Sequence, residues 1–533
     1  MATKFVFVTG GVVSGLGKGT VAASLGRLLI NRGLKVGVLK LDCYLNIDTS
    51  NMCPFRHGEV FVTDDGAECD LDVGHYERFI GTHYTSRVNH TMGKVYQSVL
   101  AKERSGFYNG RDVQVVPSVT DEIKHIIRDA GEGFDVLITE VGGTVGEIEG
   151  STYIEAIRQF FFDVGRDGAM NIHVTLVPYL EASGEIKTKP TQNSVRDLRH
   201  MGINPNILIC RTNKDVVLDM EAREKIALFC NLRDVGHVIH APDCRSVYEV
   251  PINLKEQGFD DLVLGELGLK APKDNLVEWK KMVNKMLDFS TKVAKKIAIV
   301  GKYVAVPDSY ISVMEAVKHA GLSCDVKVDI KLVDSVEVEK QGADKLLSGV
   351  DAIIVPGGFG ERGVEGKIIA TKFARENNIP YLGICLGMQV AAIEFARNVC
   401  GIKNATSVEF NEDTDSPVIN LMEEQKKAVG IGGTMRLGLF DCKLQAKSKV
   451  ATVYGKVQIK ERHRHRYEFN NAYREELAKA GLVFSGINEK SNLVEIIENP
   501  NCKYFVACQF HPEFVSKPYK AHPLFVGLVE ASL

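Results

Sequence analysis

The stretch FVTGGVVSGLGKGT, residues 7–20, limits the fold of this chain more than any other. An apolar run enters a glycine cluster, which leads through a lysine and a threonine into the helix-like segment Gly19–Arg32, closed by Gly33. A strand, a tight turn and a helix in that order point to parallel strands joined by helical crossovers, hence an α/β fold. Glycines 10, 11, 15, 17 and 19 let the backbone approach a ligand closely. A helix starting near Gly17 turns unpaired N–H groups toward an anion. Lys18 adds a charge and Thr20 a hydroxyl. The common phosphate loop runs glycine, four residues, Gly-Lys-Ser/Thr. Here Val12 stands at the first glycine position, and Gly19 separates Lys18 from Thr20. The reading is a phosphate cradle of altered spacing.

A chain of 533 residues is too long for one core, and about two to four domains are expected. Phe5–Thr9, Val36–Leu41, Asp135–Glu140, Ile172–Val177 and Asn206–Arg211 read as short buried strands, with polar residues gathered at their carboxyl ends. Ligands of open α/β sheets bind at those ends. The lysine-rich stretch 268–295, which holds the single Trp279, reads as a loop and an amphipathic helix joining two domains, or as a helix belonging to one of them. The boundaries expected are therefore 1–267, 268–295 and 296–533, the last opening a second α/β series at KIAIVGKY. Net charge is −3, which gives no whole-chain signal for nucleic acid. There is no signal-peptide layout and no apolar run of bilayer length, so a cytoplasmic protein without a membrane role is expected. The twelve cysteines contain no CxxC pair and read as core residues of a reducing compartment.

Two further groups in the first half carry chemistry. Asp72 and the strand-ending Glu140 are candidate Mg²⁺ ligands, since that ion takes one or two carboxylates plus phosphate oxygens. In EIKTKPTQNS, Lys187 and Lys189 lie two apart; an extended stretch puts both on one face, where they could hold a second anionic ligand or form a plain surface loop.

In the second half, GICLGMQ has the layout of a nucleophile elbow with Cys385 at its apex and Gly383 and Gly387 beside it. A helix behind Cys385 favours thiolate. HPE, after the strand FVACQF, supplies His511 as base and Glu513 to orient it. PGGFG, residues 356–360, offers backbone N–H groups for an oxyanion. His463 and His465 also lie two apart on one strand face, a metal-like pattern that the resemblance below accounts for instead through Arg466.

PGG, G-x-C-x-G-x-Q and H-P-E together resemble the class I glutamine amidotransferases. That resemblance implies glutamine hydrolysis through a thioester, with Gly358, Leu386, Gly387, Met388, Gln389, Glu409 and Arg466 around the glutamine. From residue 2 to about 527 the chain resembles the CTP synthase family, through FVTGGVVSGLGKG, HGEVFVTDDGAE, DLDVGHYERF, GGTVGEIE, SGEIKTKPTQ and ERHRHRYEFNN. Membership would imply a P-loop-like parallel-sheet synthase domain ahead of the amidotransferase domain. ATP would phosphorylate UTP on O4, and ammonia would pass between the domains, displace the phosphate and give CTP.

By matching motif, the resemblance assigns ATP to Gly15, Leu16, Gly17, Lys18, Gly19, Thr20, Lys40, Asp72 and the strip Pro242, Asp243, Cys244. Asp72 and Glu140 would hold Mg²⁺. UTP, and CTP as inhibitor, would be bound by Ser14, Glu147, Ile148, Glu149, Lys187, Thr188, Lys189, Pro190, Thr191, Gln192 and Lys225. His57 and Val60 would gate ammonia, and GKYVAVPDSY, residues 301–310, would be the lid through which GTP activates. A homotetramer built as a dimer of dimers, able to form filaments, is also implied.

Overall fold

The computed structural model describes residues 2–50, 52–165, 167–288, 294–422 and 435–533. The chain divides into two compact units, Met1–Thr49 with Asp72–Leu287, and Ser50–Leu71 with Asp288–Leu533.

The first unit is built on a seven-stranded sheet. Its spatial order is Val238–Pro242, Ile207–Thr212, Ala169–Leu176, Lys4–Gly10, Val136–Val141, Val36–Asp42, Asn89–Thr91. Every pairing is parallel. Val36–Asp42 and Val136–Val141 are buried at every position, the expected state of parallel strands covered on both faces. Phe160, from the helix Ser151–Val164, packs edge-on against Phe5 and Phe7 at 4.8 and 5.7 Å. The helix Val277–Leu287 buries Trp279 in this unit, 5.5 Å from the Phe79 ring, with its indole N–H donating to Tyr248 O at 2.7 Å.

The extended reading of residues 185–194 is corrected by the structure. Only Glu185–Ile186 is strand, and a helix runs from Lys189 to His200. Pro190 lies in its first turn, where a missing N–H costs nothing. Lys187 precedes that helix and Lys189 opens it, so the two do not share one face of a strand.

The second unit has a nine-stranded mixed sheet. Its order is Lys327–Asp334, Ala294–Gly301, Ala352–Val355, Tyr381–Ile384, Phe505–Cys508, Leu493–Glu498, Val483–Asn488, Arg436–Leu444, Gln458–His465. The first five strands are parallel and the remainder pair antiparallel. The hairpin Phe61–Val62 with Glu68–Cys69 joins this unit through Arg462, which meets Asp64, and Arg464, which meets Glu68. Among the described residues no helix is long and apolar enough to cross a membrane.

Candidate active sites

The first site forms where the strand Lys4–Gly10 ends. Val12, at the position the common loop gives to glycine, takes φ 86°, a glycine-like conformation held at some strain by a β-branched residue. Gly17 follows at φ 82° and starts the helix Lys18–Asn31 without a side-chain cap. The first N–H groups of that helix are thus open to an anion. Lys18 Nζ donates to Gly143 O at 2.7 Å, and burial pushes its ammonium pKa down.

Lys40 and Glu140 face each other across paired strands, with Lys40 Nζ 2.8 Å from Glu140 Oε1. The same Nζ lies 2.5 Å from Asp72 Oδ2, at the start of the helix Asp72–Ile80. Tyr76, one turn along, donates to Glu140 Oε2. Burial, and then the charge of Asp72, push the Glu140 carboxyl pKa up. A Cβ placed on Gly19 would come 2.1 Å from Asp72 Oδ1 and 3.2 Å from Glu140 Oε2. Both carboxylates therefore face one point beside the helix start. Two oxygen donors there, with phosphate to complete the shell, suit Mg²⁺. Among the described residues no cluster of three or more His, Cys, Asp or Glu could hold a metal by protein ligands alone.

The other residues assigned to nucleotides spread around these carboxyl ends. Val145 N–H donates to Gly10 O at 2.8 Å, which fastens the loop of Glu147, Ile148 and Glu149 to the root of the phosphate loop. Glu147 Oε2 accepts from Thr144 N–H at 3.0 Å, while Ile148 and Glu149 are exposed, as are Ser14 and Gly15. Leu16 is buried, and Thr20 is half-buried. Lys187 pairs with Glu185; Lys189 and Lys225 are exposed. Thr191 is buried and donates to Leu176 O at 3.0 Å, so its hydroxyl docks the helix onto the sheet. Gln192 Nε2 donates to Thr188 Oγ1 at 3.1 Å. Pro242 ends the sheet's edge strand, three strands from Lys4–Gly10, and Asp243 and Cys244 follow it, with Asp243 2.5 Å from Arg211 Nη2.

The second site lies in the other unit. Cys385 sits between the strand Tyr381–Ile384 and the helix Leu386–Asn398 at φ 54°, the strained apex of an elbow. Gly387 is required there, because a Cβ would fall 1.9 Å from Val355 O. His511 Nδ1 is 2.7 Å from Glu513 Oε1, and its ring stacks on Phe514 at 5.0 Å. Burial alone would lower the His511 pKa, but the negative charges of Glu513 and Cys385 outweigh it and push it up to about 10. The Cys385 thiol lies 3.7 Å from Arg464 O. A Cβ on Gly357 would lie 3.1 Å from His511 Cε1 and 3.9 Å from Cys385 Sγ, so this turn abuts both groups. The cleft is lined also by Val60, Gly358, Phe359, Tyr303 and Glu513.

Of the residues assigned to glutamine, Leu386 and Met388 are buried in the core, and Gln389 Nε2 donates to Tyr467 O at 3.1 Å. Glu409 Oε1 accepts from Gly360 N–H at 2.7 Å, and burial pushes its carboxyl pKa up. The charges of Lys302 and Arg466 act on Glu409 in the opposite sense. Val60 lines the cleft; His57 is exposed at the end of the short helix Pro54–His57 and is not part of its lining.

Three contributors escaped the sequence reading. Tyr76 lies inside a quoted string, but one turn beyond Asp72 it also has the spacing of an ordinary core residue. Lys302 Nζ donates to Phe359 O and Gly360 O at 2.9 and 2.6 Å. Lys367, fully buried, donates to Pro356 O at 2.7 Å and Gly357 O at 3.3 Å. A lysine on an amphipathic helix ordinarily reads as surface, and only the fold turns this one inward.

The family described as CTP synthase N-terminus matches residues 4–269, and glutamine amidotransferase class-I matches 305–531. The CTP synthase of Desulfitobacterium hafniense (strain Y51) is 56% identical over 533 residues, covering 100% of this chain and 99% of that protein. The CTP synthase of Bacillus subtilis (strain 168) is 54% identical over 533 residues, with 100% and 99% covered. Among solved structures, the glutaminase domain of Trypanosoma brucei CTPS with bound acivicin aligns at 44% identity and a TM-score of 0.43, covering 45% of this chain and 93% of that one. On the full-length identity and the two family matches, the chain belongs to the CTP synthase family, ligases of pyrimidine biosynthesis that carry a class I glutamine amidotransferase domain.

Proposed function

We propose that this chain converts UTP to CTP with ATP and glutamine, through a 4-phosphorylated UTP. The observation that carries the reading is the pairing, in one chain, of Lys40 set between Asp72 and Glu140 beside a phosphate loop with Cys385 set beside a Glu513-oriented His511.

At the second site the Cys385 thiolate attacks the side-chain amide carbon of glutamine. The turn at Gly357–Phe359 and the Leu386 N–H stabilise the oxyanion. His511 gives its proton to the nitrogen as the C–N bond breaks, and ammonia leaves a glutamyl thioester. His511 then takes a proton from water, whose attack releases glutamate and restores the thiolate. Gly358, Leu386–Gln389, Glu409 and Arg466 form the glutamine pocket in this reading, and His57 and Val60 gate the ammonia.

At the first site the γ-phosphoryl of ATP moves to O4 of UTP, leaving ADP. Ammonia adds at C4, O4 departs as phosphate, and loss of protons gives CTP. A carbonyl oxygen is a poor leaving group, and phosphorylation removes that obstacle. The helix start at Gly17–Thr20, Lys18 and Lys40 hold and neutralise the moving phosphoryl group. Asp72 and Glu140 would hold Mg²⁺, which supplies charge neutralisation at the phosphates when bound. Ser14, Glu147–Glu149, Lys187–Gln192 and Lys225 form the UTP site, shared with CTP as inhibitor. Residues 301–310 respond to GTP, and Pro242–Cys244 take the adenine. A homotetramer in the cytoplasm, able to form filaments, completes the reading, which rests in these last features on family resemblance.

The test is the absorbance change of UTP conversion to CTP, omitting ATP, Mg²⁺ and nitrogen source in turn. CTP formed without splitting of a nucleoside triphosphate, or indifference to UTP, would overturn the reading.

A further inference from the structure

The chemical steps above leave two buried lysines without a role of their own, although Lys302 lies in the 301–310 segment assigned to GTP, and both grip the same turn. Lys367, on the helix Val364–Glu376, donates to the carbonyls of Pro356 and Gly357. Lys302 donates to those of Phe359 and Gly360. Four of the five carbonyl oxygens in PGGFG are thereby held by the Nζ groups of two lysines. Lys302 is 2% exposed and Lys367 0%. Among the described residues neither lysine makes an ion pair, although removing an ammonium from water costs several kcal/mol. The turn's carbonyls are what they are placed for.

A trans peptide points its N–H opposite to its C=O. Holding the carbonyls of Pro356 and Gly357 on the Lys367 side therefore fixes the N–H groups of Gly357 and Gly358 on the other. Cys385 Sγ and the His511 ring lie within 4 Å of the Gly357 Cβ position. The peptide joining Phe359 to Gly360 is held at both ends, its oxygen by Lys302 and its N–H by Glu409. Adjacent glycines left alone would sample other peptide orientations.

We propose that Lys367 and Lys302 are positioning residues that lock the glycine turn with its N–H groups facing the oxyanion formed at Cys385. The inference rests on the Cys385 reading above. Loss of the lock lowers transition-state stabilisation and leaves the nucleophile and glutamine binding in place.

The experiment compares Lys367→Met, Lys367→Gln, Lys302→Met and Cys385→Ala in the full-length protein. In Lys367→Met, kcat for glutamine hydrolysis falls about 10²-fold with KM changed by no more than about twofold, the signature of a contribution specific to the transition state. Lys367→Gln, which keeps a donor, recovers part of that loss. Iodoacetamide alkylates Cys385 at the wild-type rate, followed by mass spectrometry of its peptide. Should Lys367→Met fail to fold by thermal melting, Lys302→Met is the variant read in the same way. Wild-type kcat in both methionine variants overturns the inference, as does a fall in alkylation rate that matches the fall in kcat. Glutamine hydrolysis surviving in Cys385→Ala would instead overturn the site reading on which the inference stands.

Discussion

Arg462 Nε lies 2.5 Å from Asp64 Oδ1, across 398 positions of sequence. Arg464, two residues on, meets Glu68 at 2.8 Å. Three residues before Asp64, Phe61 packs 5.0 Å from Phe514, which also stacks on the His511 ring. The segment Ser50–Leu71 is in this way part of the wall beside the catalytic histidine, and it brings Val60 into the cleft.

Asp64→Ala tests that anchorage. Arg462 is fully buried, while the Asp64 side chain is 26% exposed. Removing the carboxylate should cost about 2 kcal/mol, below the range for a wholly buried pair. The urea midpoint of the second unit should fall, and KM for glutamine should rise as the hairpin loosens. Unchanged midpoint and KM would show that the hairpin is held without Asp64.

Cys385→Ala separates the two chemistries. Glutamine-dependent CTP formation should disappear, whereas ammonium salts should still support it, because the residues that would activate UTP lie in the other unit. If a folded Cys385→Ala protein also loses ammonia-dependent synthesis, the proposed division of labour fails.

Both strand–turn–helix sites were legible in the sequence because each is a local pattern. Gly10 to Thr20 and Gly383 to Gln389 carry their turn and helix start in consecutive residues, whereas the positive φ of Val12 and Cys385 appears only in the structure. What escaped depends on distance in sequence. Nothing in the local sequence around Asp64 and Glu68 pairs them with Arg462 and Arg464, which lie far along the chain and meet them only in the fold. Lys367 reads as surface until its helix packs beneath the turn at Gly357. The helix start at Lys189 was also missed, because two lysines flanking a threonine before Pro190 suit a loop as well as a first helical turn.

The pH dependence of stability should carry two opposed contributions from the cysteine site. His511 is raised from its ordinary 6.5 to about 10, with Glu513 and Cys385 outweighing burial. Its contribution is complete below pH 6.5 and disappears as pH rises toward 10. The gap between wild type and Glu513→Gln in urea denaturation should therefore be widest in acid and narrow across that window. Burial lowers Lys302 from 10.5 to about 8. Between those values the unfolded chain binds a proton that the folded chain lacks, so stability rises with pH. Wild type should gain on Lys302→Met as pH climbs from 8 to 10.5. Parallel curves for wild type and both variants would contradict these assignments.

Gly19→Ala addresses the phosphate site without removing any functional group. The added methyl would lie 2.1 Å from Asp72 Oδ1 and 3.2 Å from Glu140 Oε2. Glu140 is fixed by Lys40 and Tyr76, so it is the Asp72 carboxylate, 22% exposed, that must turn away. Alanine is also the better helix former, by about 1 kcal/mol in a helix interior, which leaves little reason for the protein to unfold. The carboxylate pair would nevertheless lose the common point it faces, and with it a place for Mg²⁺ beside the phosphates. CTP formation should fall by at least about 10²-fold with glutamine or ammonia alike, as for other misplacements of groups at a reacting centre. Glutamine hydrolysis at Cys385 should continue, and the melting temperature should stay near that of wild type. Raising Mg²⁺ should recover part of the synthesis, since a displaced Asp72 weakens the site without abolishing it. Wild-type synthesis in Gly19→Ala at ordinary Mg²⁺ would mean that Asp72 and Glu140 do not act together.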